Sequence, residues 1–376
     1  VQSNLGRGLD LPDDPNAYVI FRNLVTGKEY IRNCSEMHVK GLFVELLAYQ
    51  TCVFLDFKVV FDTPDGRYSR VNAYLGGHPV DSVEEALQEM FLEVIHHPYR
   101  ELVNAGMLRY LISSRRDDAE ELKDQIPLEQ VEHKSAHLLR AVAGFLGADP
   151  KIEPVAEQMR ARADAILDLP VLAERYPYPR STKYPKLAVR IQEKIGHEIF
   201  DWAVLLTAAL TQPLGMLRDP DPQKASAHCQ IWIDEWLLRK VIRQALLEMP
   251  VSESAADYGR NLARLLTGHF SWRRTEASDY LKPRVVMKAW LEDQGIRDFL
   301  RVNTFEQIEW FNGEAMDAWL DWMLVVGVVD VLTDPDVSAG QKTKQLVMVY
   351  NWITEMEKAA ALAEYQVGKL AGELGG

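Results

Sequence analysis

The sequence predicts an α+β protein, mainly α, with a short antiparallel β segment at the N-terminus followed by a large multi-helix domain. Three observations predict it. Up to about residue 60, the apolar residues are β-branched and aromatic and fall in short runs bounded by turn residues. From about residue 82, the apolar period becomes helical, with a capping box and proline starts. No alternating strand–helix pattern of an eight-stranded barrel occurs in the 376 residues.

The β segment is built as follows. Residues 1–16, rich in Gly, Asp and Pro, read as an irregular lead-in. Residues 17–22 and 28–32 are strands joined at the turn Thr26-Gly27, so they predict a hairpin. Residues 41–47 and 51–60 predict two more strands around Ala48-Tyr49-Gln50, and Asp62-Thr63-Pro64-Asp65-Gly66 is a turn. Phe43, Phe54, Phe57, Leu42, Val44, Leu46, Val53, Leu55 and Val59 load both faces. A sheet apolar on both faces must be covered on both, and four short strands alone are marginal. Either downstream helices cover one face or further strands do. The opening Val1-Gln2-Ser3, without an initiator methionine, favours the second expectation and suits a processed product or a piece of a longer chain.

The helices follow. Ser82-Val83-Glu84-Glu85 is a capping box. Pro98 is expected as the first residue of a helix through Ile112, and 117–125 as a short polar helix. Pro127 starts a helix with Val131, Leu138, Leu139, Val142 and Phe145 inward and Gly147 beyond its end. Residues 153–167 are amphipathic, and 176–179 form a stiff Tyr-Pro connector. Residues 186–210 predict one long helix and 225–249 another. Shorter helices are expected at 254–266, 284–291 and 296–301, and long ones at 313–332 and 341–370. The Pro-rich 219–222 marks a break. The expected organisation is a partial antiparallel β domain (1–66), a linker (67–80), a helical subdomain (81–212), a Pro-rich break (213–222) and a second helical subdomain (223–376), with a frayed tail from residue 371. No fixed-period repeat is present.

Composition excludes several function classes. The net charge is −13, from 55 acidic and 42 basic residues, so phosphate backbones and anionic membranes are repelled; neither nucleic acid nor membrane is an expected partner. Cys34, Cys52 and Cys229 are an odd set without a CxxC pair. That argues against disulfides and zinc and for a reducing, cytoplasmic location. No apolar run reaches the ~18–20 residues that span a bilayer. The best stretch, 322–332, is short and contains Asp330. There is no signal-peptide pattern. Gly-rich phosphate loops, GxSxG and HExxH are all absent, and no cofactor is expected. His133 and His137 share a helical face, but a closed zinc site needs about four ligands and no partners are evident. His96-His97 suits a helix entrance. The carboxylate pairs Glu84/Glu85, Asp117/Asp118, Glu309/Glu314 and Asp317/Asp321 are expected by chance in so acidic a chain.

One stretch stands apart. Residues 299–315, with Trp319 and Trp322 after them, pack aromatics, amides and carboxylates densely. Trp310, Phe311, Trp319 and Trp322, with Asn312 and Glu314 as hydrogen-bond partners, could form a carbohydrate-stacking platform. The favoured expectation is a core element, because Trp319 and Trp322 share a helical stripe with Met323 and Val326. Asn303, Asn312 and Glu314 are then turn and capping residues. No catalytic, cofactor or metal residue is expected.

Residues 17–22, 26–32 and 41–57 resemble a segment of large bacterial proteins of the alpha-amylase family (glycoside hydrolase family 13), where such strands end the β domain that follows the catalytic barrel. Pro98-Tyr99-Arg100-Glu101-Leu102-Val103-Asn104 and the stretch Val302-Asn303…Trp310-Phe311-Asn312-x-Glu314-Ala315 resemble the helical extension beyond it. The resemblance covers most of the chain. It implies a non-catalytic C-terminal accessory region of a glycosidase acting on alpha-glucans, stabilising the barrel or shaping substrate access. The implied partners are the catalytic barrel, in the same or a neighbouring polypeptide, and alpha-glucan. The family's catalytic Asp, Glu and second Asp sit on barrel segments that have no counterpart here. Arg162-Ala163-Asp164 shares only an Arg-x-Asp spacing and lies in a predicted helix, so no catalytic residue carries over and enzymatic activity of this chain is left open. The alternatives are a stand-alone carbohydrate-binding or structural helical module without hydrolase activity, and an independent helical enzyme.

Overall fold

The computed structural model describes residues 4–118, 124–178, 181–196, 198–270, 272–273 and 282–373. Helices hold 65% of the described residues and the strands among them are few, short and antiparallel, so the protein is α+β, mainly α. The chain divides into two compact units, Val1–Val94 and Ile95–Gly376.

The first unit is built on a three-stranded antiparallel sheet, β1 (Ala17–Asn23), β2 (Glu29–Asn33) and β3 (Phe54–Phe61), in the order β2-β1-β3. The expected hairpin forms, with Ile20 opposite Ile31 and Gly27 at φ +71 closing the turn. β3 pairs with the other edge of β1, its register broken by a bulge opposite Ile20–Arg22; Asp56, at φ +57 in that irregular stretch, pairs with Arg22. Alternation along β1 sends Tyr18 and Ile20 to one face and Ala17, Val19 and Phe21 to the other. The first face is covered by α3 (Arg67–Leu75) and the start of α4 (Val83–Leu102), through Val71, Leu75, Val83 and Leu87. The second is covered by Leu11 of the lead-in, which also holds α1 (Leu5–Gly8), and by Cys34 and Met37 of α2 (Cys34–Lys40). There Phe21 stacks on Tyr30 and Phe57, at 5.5 and 5.1 Å, and meets the edge of Phe54.

One unexpected helix appears in this unit, and two sequence expectations change. Residues 34–40 form a helix, started by Asn33, whose side chain accepts from the Glu36 amide at 3.2 Å. Residues 41–47, expected as a strand, form none: Gly41 ends α2 at φ +70, and β2 and β3 already occupy both edges of β1. The segment 67–80, expected as a linker, carries α3. Asp62 starts it by accepting from the amides of Tyr68 and Ser69 at 2.8 and 3.1 Å. Burial alone would raise the Asp62 carboxyl, but hydrogen bonds from Ser69, Tyr68 and Thr63 outweigh it and hold the group below its ordinary value.

The second unit is helical. In chain order it holds the rest of α4, α5 (Ala105–Ser113), α6 (Ile126–Leu146), α7 (Glu153–Leu167), α8 (Leu172–Arg175), α9 (Tyr184–Ile195), α10 (Ile199–Thr211), α11 (Pro222–Glu235), α12 (Leu238–Leu247), α13 (Glu253–His269), α14 (Pro283–Glu292) and α15 (Gln294–Phe299). A hairpin of β4 (Asn303–Phe305) and β5 (Ile308–Trp310) comes next, then α16 (Gly313–Leu332), α17 (Ala339–Leu362) and α18 (Val367–Glu373). Pro98 lies inside α4 rather than opening a helix; Asn104 opens α5, accepting from the Met107 amide at 2.9 Å. The expected long helices are interrupted at Gly196 (φ +39), Leu237 (φ +52) and Glu364-Tyr365 (φ +52 and +67), and each break reverses the backbone locally. The 213–222 break is no boundary. Gln212–Leu217 is a 3₁₀ turn packed on α7 and α11, so close that a Cβ on Gly215 would lie 1.8 Å from the Ala225 carbonyl oxygen. The expected polar helix at 117–125 falls partly outside the described residues, as do the end of the 176–179 connector and residues 374–376; α18 continues through the start of the expected frayed tail.

Among the described residues, the candidate for a membrane span is Ile199–Leu217 rather than 322–332. It passes a length-and-hydropathy test for a membrane span, yet 78% of it is buried inside the protein, and Trp202 to Thr211 are all covered by neighbouring helices. Asp330, which interrupts the apolar end of α16, meets Arg273 at 3.2 Å.

Candidate functional site

Helix α16 presents three surfaces, and they sort the sequence-predicted residues. Trp319, Trp322, Met323 and Val326 turn inward and are buried. Trp319 lies against His269, Trp290 and Phe299, with centroids at 5.2, 5.7 and 5.5 Å. Trp322 carries Lys194 Nζ over its ring at 4.0 Å. Neither indole offers the open face that sugar stacking needs. Phe311 is buried edge-on against Tyr365 at 5.9 Å. Trp310 closes the β4–β5 hairpin opposite Asn303, its Nε1 buried without a partner among the described residues. Asn312 caps α16, accepting from the Ala315 amide at 2.8 Å. Asn303 lies at the start of the hairpin, and Glu314 is exposed in the first turn of α16.

A second surface of α16 carries Asp317 and Asp321 towards α9 and α17. There Arg190 binds Asp321 at 2.7 Å and Glu357 at 2.5 Å, while Lys194 binds Asp201 at 2.8 Å. Arg190, Lys194, Asp321 and Glu357 are thus paired, and the shallow depression they line with Lys186, Glu193 and Asp317 is open to solvent.

The third surface forms one wall of a pocket of about 590 Å³, within the usual range for small-molecule sites. Asn312, Glu314, Ala315 and Ala318 come from α16; Tyr258, Asn261, Leu262, Arg264 and Leu265 from α13. Arg239 of α12 and Gly295, Asp298, Phe299 and Arg301 from α15 and its exit complete it. The pocket shape depends on close packing: a Cβ on Gly295 would lie 2.8 Å from Leu265 Cδ2. Tyr258 is the middle of three rings, 6.3 Å from Phe200 and 6.2 Å from Phe299 at interplanar angles of 23° and 29°. It is 47% exposed. Burial of the rest of the ring, with Asp201 nearby, raises its hydroxyl above the ordinary tyrosine value, so it is a neutral donor at physiological pH.

The charges are arranged unevenly. Asp234 accepts from Arg239 Nε at 2.5 Å and from Arg264 Nη2 at 2.6 Å. Burial would raise its carboxyl, but the two guanidinium groups overcome that and lower it. Asp298 accepts from Gln294 at 2.7 Å. The side chains of Asn261, Arg301 and Glu314 and the Tyr258 hydroxyl have no hydrogen-bond or ion-pair partner among the described residues. Arg301 sits at φ +54, where α15 ends in a Schellman motif: Val302 N donates to Arg297 O at 2.9 Å and Arg301 N to Asp298 O at 3.1 Å. Glycine normally fills that position.

Sequence reading singled out Asn312 and Glu314 and missed Tyr258, Asn261, Arg239, Asp298 and Arg301. Among the described residues, no group of three His, Cys, Asp or Glu is placed to hold a metal. His137 bonds Glu101 at 2.8 Å rather than facing His133, and Glu309 pairs with Arg297 rather than Glu314. His96, buried, bonds the Trp236 carbonyl at 2.7 Å. All three cysteines are free, and burial pushes the Cys34 thiol up to about 11, which leaves it unreactive. Comparison with protein-family models, curated proteins and solved structures finds no match to this chain.

Proposed function

We propose that this chain is a non-catalytic accessory region, C-terminal to the barrel, of a cytoplasmic alpha-amylase-family enzyme acting on alpha-glucans, and that its β unit docks on the catalytic part. The observation that carries the reading is the segment 41–53, uncovered from Phe43 to Thr51 and anchored at its ends by Leu42 on the core and by the bonds of Asn23 to Cys52 and of Leu24 N to Val53 O. It is strand-like in composition yet forms no strand with any of the described residues, and Phe43 and Leu47 are 86% and 68% exposed. Val44, Leu46, Tyr49 and Val53 beside them are exposed too. A run of this kind is costly in water and is typical of a surface that another chain or domain covers. Its sequence lies within the stretch that resembles the last strands of the family's post-barrel β domain, so the expected cover is the rest of that domain with the barrel. The absence of the barrel's Asp, Glu and Asp segments from the 376 residues fits an accessory role.

The coding sequence upstream of this chain tests the proposal. An alpha-amylase barrel in the same or the neighbouring frame supports it; neither frame carrying one refutes it. With such a barrel in hand, the Phe43→Asp/Leu47→Asp double variant of the joined protein should lose starch-hydrolysing activity on heating sooner than the parent. Equal half-lives would show that the segment is not the docking surface.

A further inference from the structure

We propose that the pocket between α12, α13, α15 and the start of α16 is a binding site for a short neutral saccharide, with Tyr258 as its aromatic wall and Asn261, Arg301 and Glu314 as the groups that read hydroxyls. Four features point to this chemistry.

The first is unused hydrogen-bonding capacity. Tyr258, Asn261, Arg301 and Glu314 are exposed, so a ligand competes only with water for them. In this pocket an amide, a guanidinium, a carboxylate and a phenol line one cavity with no partners among the described residues. Together they offer the alternating donors and acceptors that vicinal hydroxyls require.

The second is charge balance. Arg239, Arg264 and Arg301 are matched by Asp234, Asp298 and Glu314, and the first two arginines already bind Asp234. A phosphate or carboxylate ligand would meet Asp298 and Glu314 with one unengaged cation to offset them. A cationic ligand would meet Arg301. A neutral ligand meets neither penalty.

The third is the aromatic edge. Tyr258 is fixed by stacking with Phe200 and Phe299, and the part of it that stays exposed is its edge and hydroxyl. Its neighbours Leu262, Leu265, Ala315 and Ala318 give an apolar floor with room above it. An apolar floor beside a fixed phenol suits a sugar, which carries C–H and O–H groups together.

The fourth is Arg301 itself. The Schellman position favours glycine, and a side chain there adopts a backbone conformation that L-residues avoid. The chain carries this strain at the one pocket arginine without a partner among the described residues, a placement that a ligand contact explains.

Choosing an alpha-1,4-glucan as the ligand rests on the function proposed above; the neutral-saccharide chemistry does not. The test is calorimetric titration of the full chain with maltotriose, cellotriose, xylotriose and inorganic phosphate. The expected result is saturable binding of maltotriose, weakened at least about tenfold in Tyr258→Ala and in Asn261→Ala. Arg301→Gly should also weaken binding while raising the melting temperature, a pairing that mere unfolding cannot imitate. Binding of cellotriose or xylotriose but not maltotriose would keep the saccharide pocket and count against the alpha-glucan assignment. Phosphate binding in preference to every sugar, no binding of any probe, or sugar binding unchanged in the three variants would each overturn the inference. None of those outcomes bears on docking through segment 41–53, which the heat-inactivation experiment tests separately.

Discussion

Trp319→Ala separates a core indole from a ligand platform. Trp319 is fully buried, enclosed by His269, Trp290 and Phe299 at centroid distances of 5.2–5.7 Å. A buried aromatic side chain removes roughly 150–250 Å² from water. At about 25 cal/mol/Å² that corresponds to ~4–6 kcal/mol for the whole side chain. Truncation to alanine keeps the first carbon and lets the walls relax a little, so the expected cost is about 3–5 kcal/mol. In a unit of this size each kcal/mol lowers the melting temperature by about 2 °C, so the variant should melt ~6–10 °C early. The assay is thermal and urea unfolding followed by circular dichroism, with Asn261→Ala as the reference. That exposed helical position should shift stability by no more than about 0.5 kcal/mol. If Trp319→Ala melts with the reference, the indole is not a core element and the rotation assigned to α16 is wrong.

His269 gives a pH prediction. Burial lowers its imidazole to about 4, with Asp293 opposing weakly, while the unfolded side chain titrates near 6.5. Below pH 6.5 the unfolded chain takes a proton that the folded one refuses. The contribution is therefore complete above pH 6.5 and is lost as pH falls towards 4, on the order of 3 kcal/mol in all. Urea midpoints from pH 7 to 4 should fall less steeply in His269→Leu than in the parent; parallel slopes would refute the assignment. Asn104 caps α5 and also donates to the Arg100 and Glu101 carbonyls at 2.8 and 3.0 Å. Asn104→Ala should cost about 1–2 kcal/mol by urea denaturation. Gly215→Ala places a methyl against the Ala225 backbone, where no side-chain rotation relieves it. A loss of about 3 kcal/mol or more is expected, and a soluble variant of parental stability would contradict the close approach.

What could be read in the sequence follows from how local each signal is. The β1–β2 hairpin was legible because Thr26-Gly27 and the flanking alternation lie within a few residues. Helix α7 was legible from end to end, Glu153–Leu167, because a proline start and a helical stripe coincide there. Helix α2 was missed although Asn33 and Glu36 have capping spacing, since seven residues are too few to display a helical period. The breaks at Leu237 and Glu364-Tyr365 were invisible because non-glycine residues take the left-handed conformation there, and nothing in their chemistry announces it. The β4–β5 turn was missed for the same reason: Glu306 and Gln307 occupy it at φ +49 and +64. The pocket draws on four helices, so Tyr258 and Asn261 gave no sign of neighbouring Asn312 and Glu314. Those two were noticed only because they adjoin the Trp-rich run.

The same helix explains why core and pocket cannot vary independently. The rotation of α16 about its axis is set in its first turns, where Met316, Trp319 and Leu320 are buried while Glu314 and Asp317 are exposed; from Trp322 onward the helix is buried on every side. With a period of 3.6 residues, that choice also fixes where Glu314, Ala315 and Ala318 emerge and sends Asp317 and Asp321 to the ion pairs of Arg190. Small residues at 315 and 318 keep the wall open, and Asn312 fixes where the helix begins. Phe299 ties the two functions together, touching Trp319 on one side and Tyr258 on the other. A core change that let α16 turn would therefore move the pocket wall, whereas Tyr258→Ala removes the ring and leaves the helix in place. Comparing those two kinds of variant for stability and for saccharide binding distinguishes a pocket with its own chemistry from a by-product of core packing.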